Sequence, residues 1–489
     1  MKKRSLVAMA SAVAVVALAG GSFGIGRTSD GGPAAGAPSN AAPSNAAPSN
    51  AAASGASGAS SASTGSGASG SGSSAGSTAP APASAQAVSS GAYAGANGAT
   101  MEKAIAGLQT HLASVPGDYP GWASLGLAYV QQAKISVNSD FYPKAQGVLE
   151  KSLSINDTDN FLAYAGLSAL ASARHDFGGA ETLARKGLVL NPSSPVLYGT
   201  LGDALVQLGR YDEADVAIDK MVGLRPDTAS LARQSYLREL RGDVASARTL
   251  MEQALDFAPT PSDRAFALFY LGELDFNSGD PNAALDRYRQ ALAASPTDVQ
   301  SLAGKAKAEA AIGQNLTAVD DYATVVARAP EPGVVLEYGE LLESLGRTAD
   351  AEAQYKIVET TQKLFAANGV EPDATPTLFY ADHGQASASL ANATLGIKTR
   401  PFLVMQDAYA WALHRNGRDQ DALVAAQAAL ATGMRSALFH YHAGMIEKSL
   451  GNVDQARAEL TMALQINPSF SPLAAPLARQ ALTELSPSA

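Results

Sequence analysis

Residues 195–226 read PVLYGTLGDALVQLGRYDEADVAIDKMVGLRP. Apolar residues recur at three- and four-residue steps on either side of Gly209 and Arg210, the pattern of two short amphipathic helices joined by a turn. Leu201, Gly202 and Leu205 belong to the first helix. Ala214, Ile218 and Met221 line the second, and Pro226 ends it. The small Gly202 and Ala214 let the two helices approach closely, with Tyr211 beside the turn.

The same offsets recur along the chain. Trp122, Leu125, Gly126 and Tyr129 form W-x2-L-G-x2-Y. An insertion from Ile135 to Phe141 lengthens the next turn before Tyr142, Ala145 and Leu149 resume the pattern. Between Gly202 and Gly339, five units keep the small residue, the turn glycine and the second-helix alanine at fixed spacing. Single glycines and alanines say little; their period of about 34 residues marks stacked helix-turn-helix repeats. From roughly Thr100 to its end the chain resembles the tetratricopeptide repeat (TPR) family. The stretches Ala408–Arg418 and Phe439–Ile446 are similar to the C-terminal part of bacterial TPR proteins. The resemblance implies an all-α fold: a right-handed solenoid of about ten helix-turn-helix repeats closed by a C-terminal capping helix.

Domain boundaries follow from where the pattern holds. Ala104, Leu108 and Leu112 share a face, so Met101–Pro116 reads as the second half of a repeat. A regular array spans 99–359. Asn368-Gly369, Pro372 and Asp382-His383-Gly384 interrupt it, which makes 360–401 a degenerate repeat or joint. The array resumes over 402–470, and 471–489 is a capping helix and tail.

Ahead of the repeats, Lys2, Lys3 and Arg4 precede an apolar run from Leu6 to Leu18, and Ala17-Leu18-Ala19 fits small-x-small cleavage before Gly20. Residues 1–19 read as a signal peptide; an uncleaved anchor reaching to about residue 25 is the alternative. Either way the remainder is expected outside the cytoplasm, extracellular or in the cell envelope, secreted or membrane-anchored. Residues 20–98 repeat Ala-Pro-Ser-Asn and then Gly/Ser/Ala, a composition too poor in apolar surface to repay ordering. Such a linker reaches roughly 45–50 Å as a coil.

The 489 residues contain no cysteine and carry a net charge of −10, so thiolate chemistry is excluded and nucleic acid is a poor partner. Gly72–Gly76 matches G-x-S-x-G without a flanking strand or helix. Gly304-Lys305 lacks the upstream glycine of a phosphate loop. His440 and His442 are two apart and project from different sides of a helix, unlike an H-x-x-x-H metal pair. Asp382-His383 are neighbours that do not face each other. No catalytic constellation assembles, and neither enzyme activity nor a metal or cofactor is expected.

A repeat array instead offers a concave surface, lined in TPR proteins by the first helix of each pair. That register, carried over by resemblance, nominates Asp203, Phe269, Glu273, Phe276, Lys307, Glu340 and Glu343. Towards the C-terminus it adds Trp411, His414, Arg415, Tyr441, Met445 and Lys448. The middle of this set is acidic and aromatic and its end more basic, which suits an extended peptide of mixed charge. The carboxylate clamp of chaperone-docking TPR domains needs asparagine and lysine where this chain has Ser124, Leu127, Thr200, Asp203, Tyr270 and Glu273, so that clamp is not expected. The resulting expectation is an exported scaffold or adaptor binding a protein or peptide in the cell envelope. The alternatives are an envelope hydrolase with a cryptic site in the C-terminal third, and a structural or self-assembling spacer.

Overall fold

A computed structural model describes residues 98–136 and 138–486. The signal-peptide and linker assignments lie outside the described residues, except Gly98, which opens the first helix. Twenty-two helices and no strand occur among the described residues, and none of these helices is long and apolar enough to cross a membrane.

A solitary helix α1 (Gly98–Ser114) comes first, then ten antiparallel pairs. These are α2 (Tyr119–Ser136) with α3 (Phe141–Ile155), α4 (Phe161–Ala173) with α5 (Phe177–Leu190), and α6 (Pro195–Gln207) with α7 (Tyr211–Leu224). Next come α8 (Thr228–Leu240) with α9 (Val244–Asp256), α10 (Pro261–Asn277) with α11 (Pro281–Ala294), and α12 (Val299–Ala311) with α13 (Asn315–Arg328). Then α14 (Pro332–Ser344) pairs with α15 (Thr348–Ala367) and α16 (Ala374–Asp382) with α17 (Ala386–Thr399). The last pairs are α18 (Leu403–Arg415) with α19 (Asp419–Leu430), and α20 (Ala437–Ser449) with α21 (Val453–Ile466). A second solitary helix, α22 (Ala474–Leu485), ends the array. The insertion after Ile135 is absorbed largely by a longer α2.

Local chemistry fixes these bounds. Asp176, Ser194, Asp243, Asp280 and Asp298 accept the N–H three residues on, satisfying donors that a helix start leaves free. Pairs are held by side chains wedged into glycine slots. The Tyr288 ring of α11 sits between Gly272 and Gly304, where added Cβ atoms would fall 2.6 and 2.5 Å from it. Leu149 fills the same place between Gly126 and Gly166. Where the slot holds serine, the hydroxyl ties the pair: Ser168 donates to Ala180 O (2.8 Å) and Ser235 to Ala247 O (2.7 Å).

The array winds far enough to meet itself. The turns of the second to fifth pairs touch the loops that follow the pairs five places later. His175 Nδ1 lies 2.9 Å from Glu371 O, and Glu371 N donates to Arg174 O. Arg400 Nε donates to Gln207 Oε1 (2.6 Å), while Leu403 N donates to the Tyr211 hydroxyl (2.9 Å). Gly242 meets Gly433 O, and Asn467 Nδ2 donates to Phe276 O (2.8 Å). Apolar side chains follow the same path: Phe365 and Val370 pack with the α1–α4 core, Leu403 and Phe439 with that of α6–α8. The seam is finished by buried Arg400, whose guanidinium lies over Phe177 and Phe402 and 3.9 Å from Asp373.

His175 takes the turn position that glycine holds in the later pairs, with φ +64°. Left-handed backbone is costly for a side-chain-bearing residue, and here the ring is buried against Phe177 at the seam. Burial, with Arg400 nearby, pushes its pKa down to about 3, so it stays neutral.

Candidate concave binding surface

First helices of successive pairs line up on the inner face, and their inward residues sit six and nine positions before each turn residue. Asp203, Tyr236, Glu273, Lys307, Glu340, Trp411 and Met445 occupy the nearer position; Arg233, Tyr270, Glu337 and His442 occupy the farther one. Side chains on adjacent first helices therefore meet. Arg233 of α8 forks onto Asp203 of α6, with Nε–Oδ1 and Nη2–Oδ2 both 2.9 Å, and both side chains are buried. Lys307 of α12 reaches back to Glu273 of α10 at 2.8 and 2.9 Å and lies 4.8 Å from the Phe276 ring centroid.

Three tyrosines from the outer layer reach this face. Tyr288, Tyr322 and Tyr355 hold the same place on α11, α13 and α15, where other pairs have Leu149, Ile218 or Met251. Their hydroxyls donate to Glu273 (2.5 Å), Glu337 (3.0 Å) and Glu343 (2.6 Å) respectively. Their helical spacing was visible in sequence; the delivery of their hydroxyls between the first helices was not.

The surface from α8 to α16 is crowded with acids. Burial, with Glu273 nearby, pushes Glu239 up to about 7 despite its bond from Asn277. Glu340 goes further, to about 8, through burial and the neighbouring Asp382, Glu337 and Glu343. Burial also raises Glu337, against the pull of Lys307. Lys307 itself is held above its usual range because Glu273 and Glu337 outweigh its burial. Among the described residues Glu340 has no hydrogen-bond or ion-pair partner.

The other nominated residues are placed as follows. Phe269 packs its ring against Tyr270 and Tyr288. Phe276, Trp411 and Tyr441 are buried, 5%, 4% and 3% exposed, and so belong to the packed interior more than to the open surface. Trp411 Nε1 donates to Asp382 Oδ1 (2.7 Å), and its ring stacks on His442, which is held by Asp407 at 2.9 Å. His414 lies 2.6 Å from Asp419, Arg415 Nε donates to Ala381 O (2.9 Å), and Lys448 pairs with Glu484. Met445 packs half-buried on the last core cluster. Glu343 is exposed, with His383 3.9 Å away. His383 and His414 therefore serve separate neighbours. No group of three or more potential ligands for a metal converges among the described residues. The two best-formed pockets hold about 10 Å³ each, room for one water.

Stacked helix pairs with glycine slots, a superhelical path and an inner face built from first helices define a right-handed α-solenoid scaffold. Tetratricopeptide repeat models match residues 196–228, 437–470 and 269–331. The chain is a tetratricopeptide repeat protein. No curated protein matches it. Among solved structures, it is similar to a tetratricopeptide repeat protein from Parabacteroides merdae at 18% identity, over 53% of this chain and 98% of that one, TM-score 0.31. It is similar to Pseudomonas aeruginosa PilF at 17% identity, over 43% and 92%, TM-score 0.33. PilW, a type IV pilus biogenesis factor, matches at 18% identity over 45% and 98%, TM-score 0.34. At such TM-scores none of these likenesses bears on what this chain binds.

Proposed function

We propose that the chain is an exported scaffold of the cell envelope that holds an extended, basic stretch of a partner protein along its concave face. The observation that carries this reading is the partnerless Glu340 among Glu337, Glu343 and Asp382 on the inner surface. A buried carboxyl without a cation holds its proton or costs free energy when ionised. A lysine or arginine side chain from a ligand supplies the missing charge. Two pairs earlier, Tyr270 and Phe269 offer rigid rings near Glu273 and Tyr288, as peptide anchors commonly are. The export half rests on the residue 1–19 leader and the linker that follows.

The test uses the full chain and two fluorescent peptides of equal length, one rich in Lys and Arg, the other in Glu. The basic peptide is expected to bind, and Glu337→Gln with Glu340→Gln to weaken it about tenfold or more, given the usual worth of charged hydrogen bonds. Equal binding of both peptides, or an unchanged affinity in the double variant, refutes the site. Mass spectrometry of the cell-fractionated protein addresses export: a mature chain starting at Gly20 is expected, and an intact chain in the cytoplasm sinks that half.

A further inference from the structure

The seam joins the two winds without a break. Four successive turns of the first wind, at His175, Gly209, Gly242 and Gly279, meet Glu371, Pro401, Gly433 and Asn467 of the second. At the three glycines a backbone carbonyl of the second wind stands where a Cβ would. Polar side chains on this line are shut away from water: Gln207, Asp373, Arg400 and Asn467 are each no more than 3% exposed. Burying such groups is costly unless they are paired, and Arg400 and Asn467 find partners across the line in Gln207 and Phe276 O. Between the contacts at Gly242 and Gly279 lies a cavity walled by Glu239 and Asn277 of one wind and Arg435 and Ile466 of the other. It holds about 10 Å³, room for one water, and no peptide passes through it.

The turns lie on one edge of the helical ribbon and the loops between pairs on the other, with the first helices facing the axis. Joining the two edges therefore makes a wall, and the inward residues Arg233, Glu273, Glu337 and Glu340 stand inside it. Each of these turns meets the loop that follows the pair five places on, so a wind takes between five and six pairs. First helices ~8–10 Å apart then lie on a circle roughly 14–17 Å across. Helices are ~10–12 Å thick with their side chains, which leaves a bore of a few ångströms. That is room for one extended strand, strands being spaced ~5 Å, and not for a helix or for the two strands of a hairpin.

The free edge of the second wind remains open. Its turns at Gly313, Gly346, Gly384, Gly417 and Gly451 have no described atom within 4 Å of where a Cβ would stand. Glu343, Glu340 and Glu337 come three, six and nine residues before Gly346, so they lead from this rim inwards. The first is exposed and the other two are half-buried, and an incoming cation meets them in turn. We propose that a partner enters this bore end first, along the axis. The chain then takes the free end of an extended polypeptide and excludes a loop held at both ends by a folded protein. This mode of entry rests on the concave-face reading and adds which kind of segment that face accepts. A groove open along its length admits a loop sideways; a closed seam does not.

The test uses the full chain and one fluorescent Lys/Arg-rich peptide. The peptide is made bare, joined to a small folded domain at its amino end, joined to one at its carboxyl end, and joined to one at each end. The bare peptide and at least one singly blocked form are expected to bind alike, and the doubly blocked form to lose binding. The singly blocked forms control for crowding by a domain outside the rim. A doubly blocked form that binds as tightly and as fast as the singly blocked ones overturns end-first entry. If that binding still depends on Glu340, the concave-face reading survives. A bare peptide that does not bind sinks the concave-face reading and this inference with it.

Discussion

Gly242→Ala, set beside Gly313→Ala, measures what the seam contributes. Both glycines have φ near +80°, +76° and +81°, so both alanines incur the left-handed backbone cost of about 1–2 kcal/mol. Around Gly313 the added methyl meets nothing within 4 Å. At Gly242 it lands well inside 3.0 Å of Gly433 O, a backbone atom that cannot rotate away. The second wind must retreat there, and overpacking of this kind costs a further ~1–3 kcal/mol. Gly313→Ala is therefore expected to lose about 1–2 kcal/mol and Gly242→Ala about 2–5 kcal/mol. Repeat arrays unfold in segments, so a single global midpoint blurs the difference. Hydrogen exchange resolves it, because the Leu403 and Glu371 amides bond across the seam to Tyr211 and Arg174 O. Those amides should exchange faster in Gly242→Ala and keep wild-type protection in Gly313→Ala. Equal stability losses with unchanged protection at both amides would refute the claim that the winds are held together here.

Arg233→Met should cost about 3–5 kcal/mol, since it strands the buried Asp203 carboxylate, and adding Asp203→Leu should restore much of that; a double variant as unstable as the single one in urea melts contradicts the pairing. For Glu340, the folded chain holds a proton up to about pH 8, whereas an unfolded glutamate releases it near 4.3. The folded state thus binds the extra proton between those values, and the stability it lends is full below about pH 4.3 and drains as pH climbs towards 8. Glu340→Gln should flatten that slope and raise the thermal midpoint more at pH 8 than at pH 5. A slope identical to wild type, measured by circular dichroism at both pH values, rules out a buried carboxyl at this site.

The repeats were legible because the slots are chemical: Gly202, Gly272 and Gly339 leave room for Ile218, Tyr288 and Tyr355, and the small Ser168 and Ser235 hold the same place in other pairs, so the spacing is written in residue types. The seam was not, because it is made largely of backbone. Gly242 touches the second wind and Gly313 touches nothing, yet both are turn glycines at equivalent places. The superhelical pitch that separates them is a sum of small rotations over five pairs, which no single residue encodes. One signal was there to be used: His175 stands where the later pairs carry glycine, and a side chain held at positive φ needs a neighbour that holds it. The concave face was legible in register but not in orientation. Spacing puts Trp411 and Glu340 at the same inward position, but a large ring beside Tyr441 and His442 lies down on its neighbours and is satisfied by them, while a carboxyl among carboxylates is left without a cation. Position on a solenoid helix thus tells which residues could meet a ligand. Whether they do depends on whether the residues beside them already satisfy them, and Glu340 is one whose neighbours do not.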